Sequence, residues 1–470
     1  MNPLLLTDSY KLTHWKQYPS DTTGVYSYFE SRGGAFPETV FFGLHYVLRR
    51  HFETPITLEM VDGVSQLSRQ HFGADYFNDA GWRHVVRDHG GLLPLRIKAV
   101  AEGTVVAVRN VLMTVENTCP HCFWIPNYFE TVLVHAWYPT TVATQGREIK
   151  KIILDYLERT GDPALLPFKL HDFGYRGVTS VESAGIGGAA HLVNFNGTDT
   201  LAALDVVARY YGDPCAGVSI PAAEHSTITS WGREHEVDAF SNMLDAYPHG
   251  FCAVVSDSYD IMAAVRDLWG TQLKDRVLQR DGVLVVRPDS GDPPAMSLQV
   301  VEGLGHAFGT SVNGKGYKLL HPKVRVIYGD KMDRHSIPQV LHRLQTNGWS
   351  ADNITFGSGG ANLQKVDRDT CQFAFKCSAV RRGGEWHDVY KQPRDMPEKN
   401  SKRGRMALIT PQPGVWQTIA EADVARSGLE DQLRTVYENG RVLARTESLE
   451  AIRRRACASL SAASARAARR

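Results

Sequence analysis

The sequence lacks a charge excess of either sign, with 52 Lys and Arg against 51 Asp and Glu over 470 residues. That balance argues against a dedicated nucleic-acid binder, which carries a basic surplus. No apolar run approaches the roughly 18–20 residues that cross a bilayer. The opening Met1-Asn2-Pro3-Leu4-Leu5-Leu6-Thr7-Asp8 has neither the basic start nor the apolar length of a signal peptide. Cysteine is sparse: seven, an odd number scattered from 119 to 457, make no disulfide framework. The single spacing of metal-binding type, Cys119-Pro120-His121-Cys122, has no second cysteine pair at a fitting distance, which counts against a zinc knuckle. Cys371 and Cys377 read as buried thiols. No internal repeat is evident. What remains, 43% hydrophobic and 22% charged residues, is ordinary globular composition, and a cytoplasmic, soluble, folded protein is expected.

Residues 1–167 mix helical and strand patterns and read as an N-terminal α+β domain. Leu95-Arg96-Ile97-Lys98-Ala99-Val100 alternates like a half-exposed strand, Thr104-Val105-Val106-Ala107-Val108 is a second β-rich run, and 125–160 reads as helix. Between 168 and 380 the rhythm changes. Short Val-, Ile- and Ala-rich runs such as Ala253-Val254-Val255 and Val283-Leu284-Val285-Val286 recur, each followed by a polar or Gly-rich cluster and then a helical stretch. Near-continuous apolar strands are buried on both faces, the mark of a parallel sheet under helices. Eight such units, the last ending at Lys376, predict an α/β architecture with an irregular (β/α)8-type barrel whose functional residues gather at the C-terminal strand ends. A doubly wound open sheet is the competing architecture. Residues 381–450 leave the rhythm and are expected to rejoin the N-terminal α+β domain; 451–470 is an acid-free Ala/Ser/Arg tail, read as a helix end that frays.

Taken as one site, the strand ends offer complementary chemistry. Arg176, Arg287, Arg368 and Lys376, with the Lys391–Arg405 loop, supply positive charge. Gly359 and Gly360 supply bare backbone N–H groups suited to a phosphate. Asp257, Asp260, Asp289 and Asp330 supply carboxylates for Mg²⁺ or for ribose hydroxyls. His225, between Glu224 and Ser226, supplies a nucleophile or base. Asp199, after Asn196-Gly197-Thr198, reads as a helix N-cap whatever else it does. Together these describe a site for a sugar bearing several phosphates.

Thr7-Asp8-Ser9-Tyr10-Lys11-Leu12-Thr13-His14, His171-Asp172-Phe173-Gly174-Tyr175-Arg176-Gly177 and Pro221-Ala222-Ala223-Glu224-His225-Ser226-Thr227 resemble the nicotinamide phosphoribosyltransferase family, the type II phosphoribosyltransferases. So do Ser256-Asp257-Ser258-Tyr259-Asp260, Arg287-Pro288-Asp289-Ser290-Gly291 and Gly357-Ser358-Gly359-Gly360. The resemblance runs from about residue 3 to 455. It implies a homodimer that makes nicotinamide mononucleotide and pyrophosphate from nicotinamide and phosphoribosyl pyrophosphate, with Mg²⁺, and with ATP phosphorylating His225. It further implies that Phe173 stacks on the nicotinamide ring, with Tyr10 of the partner subunit on the other face, and that Asp199 accepts a hydrogen bond from the carboxamide. Arg176, Arg287 and Arg368 match phosphate contacts, Gly360 a backbone contact to the 5-phosphate, and Asp289 with Gly329-Asp330 ribose contacts. Ser256, Gly359 and Lys376 join the substrate-binding set. Lys391 and Lys399 match partner-chain lysines near the phosphates. His225, Asp289 and Arg287 are the residues expected to carry catalysis. The sequence departs from the family at Lys331, where a glycine is expected, and in the short stretch Gly33-Gly34-Ala35-Phe36-Pro37. Nicotinate phosphoribosyltransferase is the nearest alternative, which Asp199 speaks against; a barrel sugar-phosphate hydrolase or aldolase is the remote one.

Overall fold

A computed structural model describes residues 2–395, 400–443 and 446–467. The chain forms two compact units, Met1–Thr144 with Tyr210–Gly212 and Asp367–Arg470, and Gln145–Arg209 with Asp213–Val366.

The second unit is built on six parallel strands. Their order is Gly197–Thr198, Leu170–Asp172, Ile354–Ser358, Val324–Tyr328, Asp281–Arg287, His249–Val255. Residues 218–222 reach both edges of this sheet. Val218 bridges Gly197, with Thr198 N donating to Val218 O at 3.0 Å; Ala222 bridges Ala253, with Ala253 N donating to Pro221 O at 2.9 Å. Single backbone bridges through this segment thereby join the two edge strands into a ring.

Alternation along the strands divides the side chains into two layers. Cys252 and Val254, Leu284 and Val286, Val326 and Tyr328 point outward into a core shared with the covering helices. Ala253, Val285 and Ile327 point inward and meet Phe173, Ile220 and Val283. The helix Pro293–Phe308 shows how the cover is made. Asp292 caps it, accepting from Ala295 N at 3.1 Å, proline opens it, and Leu298, Val301, Leu304 and Phe308 form its buried stripe.

The eighth unit of the expected barrel is not in the ring. Phe373–Arg382, which carries Lys376, pairs antiparallel with Thr22–Ser31 in the first unit, in the register Tyr28↔Lys376 and Phe29↔Phe375. Aromatic contact joins the two strands: Phe373 stacks on Phe29 with ring centroids 5.0 Å apart, the kind of contact that suits an antiparallel sheet. That sheet has seven strands, in the order Glu385–Asp388, Phe373–Arg382, Thr22–Ser31, Val111–Asn117, Leu95–Ala99, Arg434–Glu438, Arg441–Val442. N- and C-terminal segments thus hydrogen-bond within one sheet. The 125–160 helix is three pieces, Ile125–Tyr128, Glu130–Val134 and Trp137–Thr160. The acid-free tail is helical as part of Leu449–Ala467, held by buried Ile452, Ala456 and Leu460 at four-residue spacing and by Arg455 paired with Glu447.

Glu102 is buried in the first unit, where its Oε1 accepts from Gly43 N at 2.9 Å and His45 N at 2.8 Å. Burial pushes its carboxyl up to about 7, against the pull of those N–H groups. A carboxyl raised on folding supports stability fully below its unfolded value and loses that support as pH rises through the folded one. The melting temperature is therefore expected to fall between about pH 5 and about pH 7.5, and Glu102→Gln to flatten that slope; calorimetry across the range is the check.

Candidate active site

Seven of the eight strand-end clusters follow parallel strands or the bridging segment, so the ring carries them on one rim. Below it lies a cavity of about 520 Å³ among the inward side chains, kept open by small residues such as Gly197, Ala222 and Ala253. Phe173 lines its mouth. A Cβ on Gly357 would lie 2.0 Å from the Phe173 ring and one on Gly329 3.3 Å, so the ring sits directly on glycine backbone. That leaves a flat aromatic face beside the cavity.

Asp199, the next strand-end residue, lies two residues before the helix Leu201–Tyr211. Its Oδ1 accepts from Ser219 Oγ and lies 2.9 Å from His171 Nε2. Burial alone would raise this carboxyl; His171, Ser219 and the Arg287 charge outweigh it and hold it below the usual carboxylate range. From sequence alone neither orienting residue was given a role: His171 figured only within its cluster, and Ser219 not at all. The available signal was alternation: His171 stands two residues before Phe173, and Ser219 lies on the 218–222 segment.

His225 opens the short helix His225–Thr229. Its Nε2 lies 3.1 Å from Asp257 Oδ1, while Asp257 Oδ2 accepts from Asp289 N at 3.0 Å. The carboxylate is 3% exposed and the imidazole 46%, so a buried acid orients an accessible ring. Arg287, last residue of its strand, donates to Ala223 O at 3.2 Å and approaches Asp289 Oδ1 at 3.7 Å; its Nε is buried with no hydrogen-bond partner. A guanidinium held with unused donors is prepared for an anion.

The remaining acids divide. Tyr328, on which burial and then Asp330, Asp257, Asp289 and Asp292 act, has its hydroxyl pushed up to about 12. Asp260 instead caps the helix Ile261–Ala263, its Oδ1 accepting from Met262 N and Ala263 N at 3.0 Å. Ser256 is a correction: its hydroxyl is buried, donating to Val254 O and accepting from Trp269 Nε1, both at 3.0 Å, so it braces the strand and offers no side chain to a ligand. Arg176 is exposed on the turn Tyr175–Gly177. Gly359 precedes the helix Gly360–Leu363 with open space where a Cβ would be. Lys331 adopts φ +56°, the left-handed region, which explains why glycine suits that position.

Tyr10, Arg368, Lys376 and Lys391 belong to the first unit and line a cavity of about 950 Å³ together with Lys11 and Arg32. Lys376 is pulled below the ordinary lysine value by burial first and then by Arg32, Arg368 and Lys391, against Glu130. This is a concentrated cationic pocket. Lys399 lies outside the described residues.

The architecture defines a class. The chain shares its fold with nicotinate-nucleotide pyrophosphorylase from Pyrococcus furiosus (TM-score 0.60, 14% identity, 98% of this chain and 96% of that one covered) and with human nicotinic acid phosphoribosyltransferase (TM-score 0.58, 16% identity, 97% and 93% covered). Residues 168–441 match the family model described as the Nicotinate phosphoribosyltransferase (NAPRTase) family, and residues 2–97 that of the Nicotinamide phosphoribosyltransferase, N-terminal domain. Over 459 residues the chain is 51% identical to a nicotinamide phosphoribosyltransferase of Xanthomonas campestris pv. campestris, with 96% of this chain and 97% of the relative covered. A nicotinamide phosphoribosyltransferase of Acinetobacter baylyi is 31% identical over 494 residues, with 97% of each covered. The chain belongs to the nicotinamide phosphoribosyltransferase family.

Proposed function

We propose that the enzyme transfers ribose 5-phosphate from phosphoribosyl pyrophosphate to nicotinamide, releasing pyrophosphate and nicotinamide mononucleotide for NAD salvage. The observation that carries this reading is Asp199, held by Ser219 and His171, at an apolar cavity beside Phe173. The Phe173 face suits a pyridine ring. The Asp199 carboxylate accepts from a carboxamide NH₂ and repels the carboxylate of nicotinate, which gives selectivity by attraction and repulsion together.

Arg287, Arg176 and Arg368 are assigned to the phosphates, with the backbone N–H groups of Gly359 and Gly360 on the 5-phosphate. Asp289, Gly329 and Asp330 are assigned to the ribose. As the bond from ribose C1 to pyrophosphate breaks, positive charge develops on the ring and negative charge on the departing oxygens. Arg287 stabilises the latter. The attacking pyridine nitrogen is neutral with a free lone pair, so no general base is required. Asp257, Asp289 and Asp330 are hard oxygen donors that do not gather into a cage of their own among the described residues, which suits Mg²⁺ shared with substrate phosphates; when bound, it would neutralise charge on the leaving group.

His225 is read as the acceptor of a phosphoryl group from ATP. Asp257 at Nε2 leaves the lone pair at Nδ1 for attack on the γ-phosphorus, and ADP departs. The enzyme is read as a homodimer, with Tyr10, Lys391 and Lys399 of the partner subunit completing the site. Among the described residues no disulfide forms, which supports a reducing, cytoplasmic setting.

Pyrophosphate release tests the reading, with nicotinamide compared with nicotinate, each with and without ATP. Turnover with nicotinamide is expected, stimulated by ATP, and His225→Ala is expected to abolish the stimulation and retain the basal rate. Turnover with nicotinate alone would overturn the assignment of Asp199.

A further inference from the structure

Two pairs of side chains some thirty residues apart in sequence, and unused by the chemistry above, meet in the first unit. His84 and His89 lie on the helix Asp79–His89, and Cys119 and Cys122 lie on the 3-10 turn that follows the strand Val111–Asn117. One ligand atom from each falls within 4.8 Å of all the others. The sequence hid this site because a zinc knuckle is sought as two cysteine pairs, whereas the second pair of ligands is two histidines on a helix. We propose that His84, His89, Cys119 and Cys122 bind one Zn²⁺ ion as a structural Cys₂His₂ centre.

The donor set is the one Zn²⁺ prefers in closed tetrahedral sites, with bonds of about 2.3 Å to sulfur and about 2.0 Å to nitrogen. Such bonds place sulfur and nitrogen about 3.5 Å apart, and His84 Nε2 lies 3.4 Å from Cys119 Sγ. The remaining donors lie within 4.8 Å of one another, near enough for side-chain rotation to bring them onto the ion. His84 is oriented as a zinc-bound histidine usually is: its other ring nitrogen, Nδ1, is paired with the Asp88 carboxylate, which fixes the tautomer that offers Nε2 to the metal.

His89 Nε2 is buried without a hydrogen-bond partner, an arrangement that is uncommon without a ligand to complete it. Both cysteines are buried and unpaired. A cysteine gives up its thiol proton when it ligates a metal, and the two cysteines here carry two such protons. Binding would release both, and two thiolates with one Zn²⁺ form a neutral centre compatible with burial.

The turn is already fastened to the sheet. Asn117 Nδ2 donates to Cys119 O at 2.8 Å and to Thr23 O at 3.0 Å, and Asn117 Oδ1 accepts from Val25 N at 2.8 Å. The ion would therefore staple the end of the helix Asp79–His89 to the central strands of the antiparallel sheet.

The full-length chain, expressed with zinc in the medium and purified without chelator, is expected to carry one zinc per chain by elemental analysis. Replacement by cobalt should give the thiolate charge-transfer band and the strong visible bands of a tetrahedral sulfur-ligated ion. That spectrum is read on the unsubstituted protein and does not depend on whether a variant folds. Cys122→Ser should lose the metal and lower the melting temperature, Asp88→Asn should weaken zinc about 10–100-fold, and Cys215→Ser, at an exposed cysteine elsewhere, should change nothing. A chain that binds no zinc, a cobalt spectrum without the thiolate band, or a Cys119–Cys122 disulfide that excludes metal would overturn the proposal.

Discussion

Arg287→Met is expected to lower the rate of pyrophosphate release about 10²–10³-fold, the usual cost of removing one preorganised donor from a developing anion. It should do so without loss of stability. Arg287 has a side chain only 16% exposed, uses one donor on Ala223 O, and leaves Nε buried without a hydrogen bond. An incompletely paired buried cation burdens the resting fold, and methionine fills the space of the stem. A residue that merely braced the fold would show the opposite pattern, a lower melting temperature with near-normal turnover. A second readout follows from electrostatics. The Arg287 charge helps to hold Asp199 ionised. Its loss should raise the Asp199 carboxyl, so the acid limb of the nicotinamide kcat/KM profile should move to higher pH. Unchanged turnover, or a loss of turnover that merely tracks unfolding, would remove Arg287 from the leaving-group site.

How much of this was legible in the sequence depended on the range of the interaction. The apolar run followed by a polar cluster is local, so seven parallel segments and their rim residues could be counted along the chain. The eighth misled because Phe373-Ala374-Phe375 before Lys376 has the same composition as a barrel strand, while its partner in pairing, Thr22–Ser31, lies some 340 residues away. No local signal distinguishes those two fates. By type and position Asp199 read as a helix cap, and only the family resemblance gave it a ligand role; its contacts were not legible, because His171 and Ser219 arrive from separate segments. Ser256 failed for the reverse reason. A serine at a strand end looks like a ligand contact until the indole of Trp269 is seen donating to it. The glycine expected at position 331 was correct as conformation, φ +56°, although lysine occupies it.

The other large effect expected is on stability alone. Lys169→Met should destabilise the enzyme by about 3–5 kcal/mol, since three backbone carbonyls would lose a charged donor, each at about 1–3 kcal/mol with incomplete additivity. Lys169 is 4% exposed, and its Nζ donates to Ala351 O, Asp352 O and Ile354 O at 2.9, 3.0 and 2.8 Å. Burial pulls this ammonium down to about 7, with Arg325 acting the same way and Asp352 opposing them; the three acceptors favour the protonated form as well. Those carbonyls belong to the 3-10 turn Ala351–Asn353 and to the first residue of the strand Ile354–Ser358. The strand starts at the lysine and ends in Ser358-Gly359-Gly360 at the opposite rim, so Lys169 fixes the entry of a strand whose exit carries the candidate phosphate cradle. Because the lysine is a strand length from that rim, Lys169→Met should lose several degrees of melting temperature while KM for phosphoribosyl pyrophosphate, measured well below the transition, stays near the starting value. A large rise in KM with an unchanged melting temperature would mean that this ammonium acts on substrate through the cavity and not on the strand.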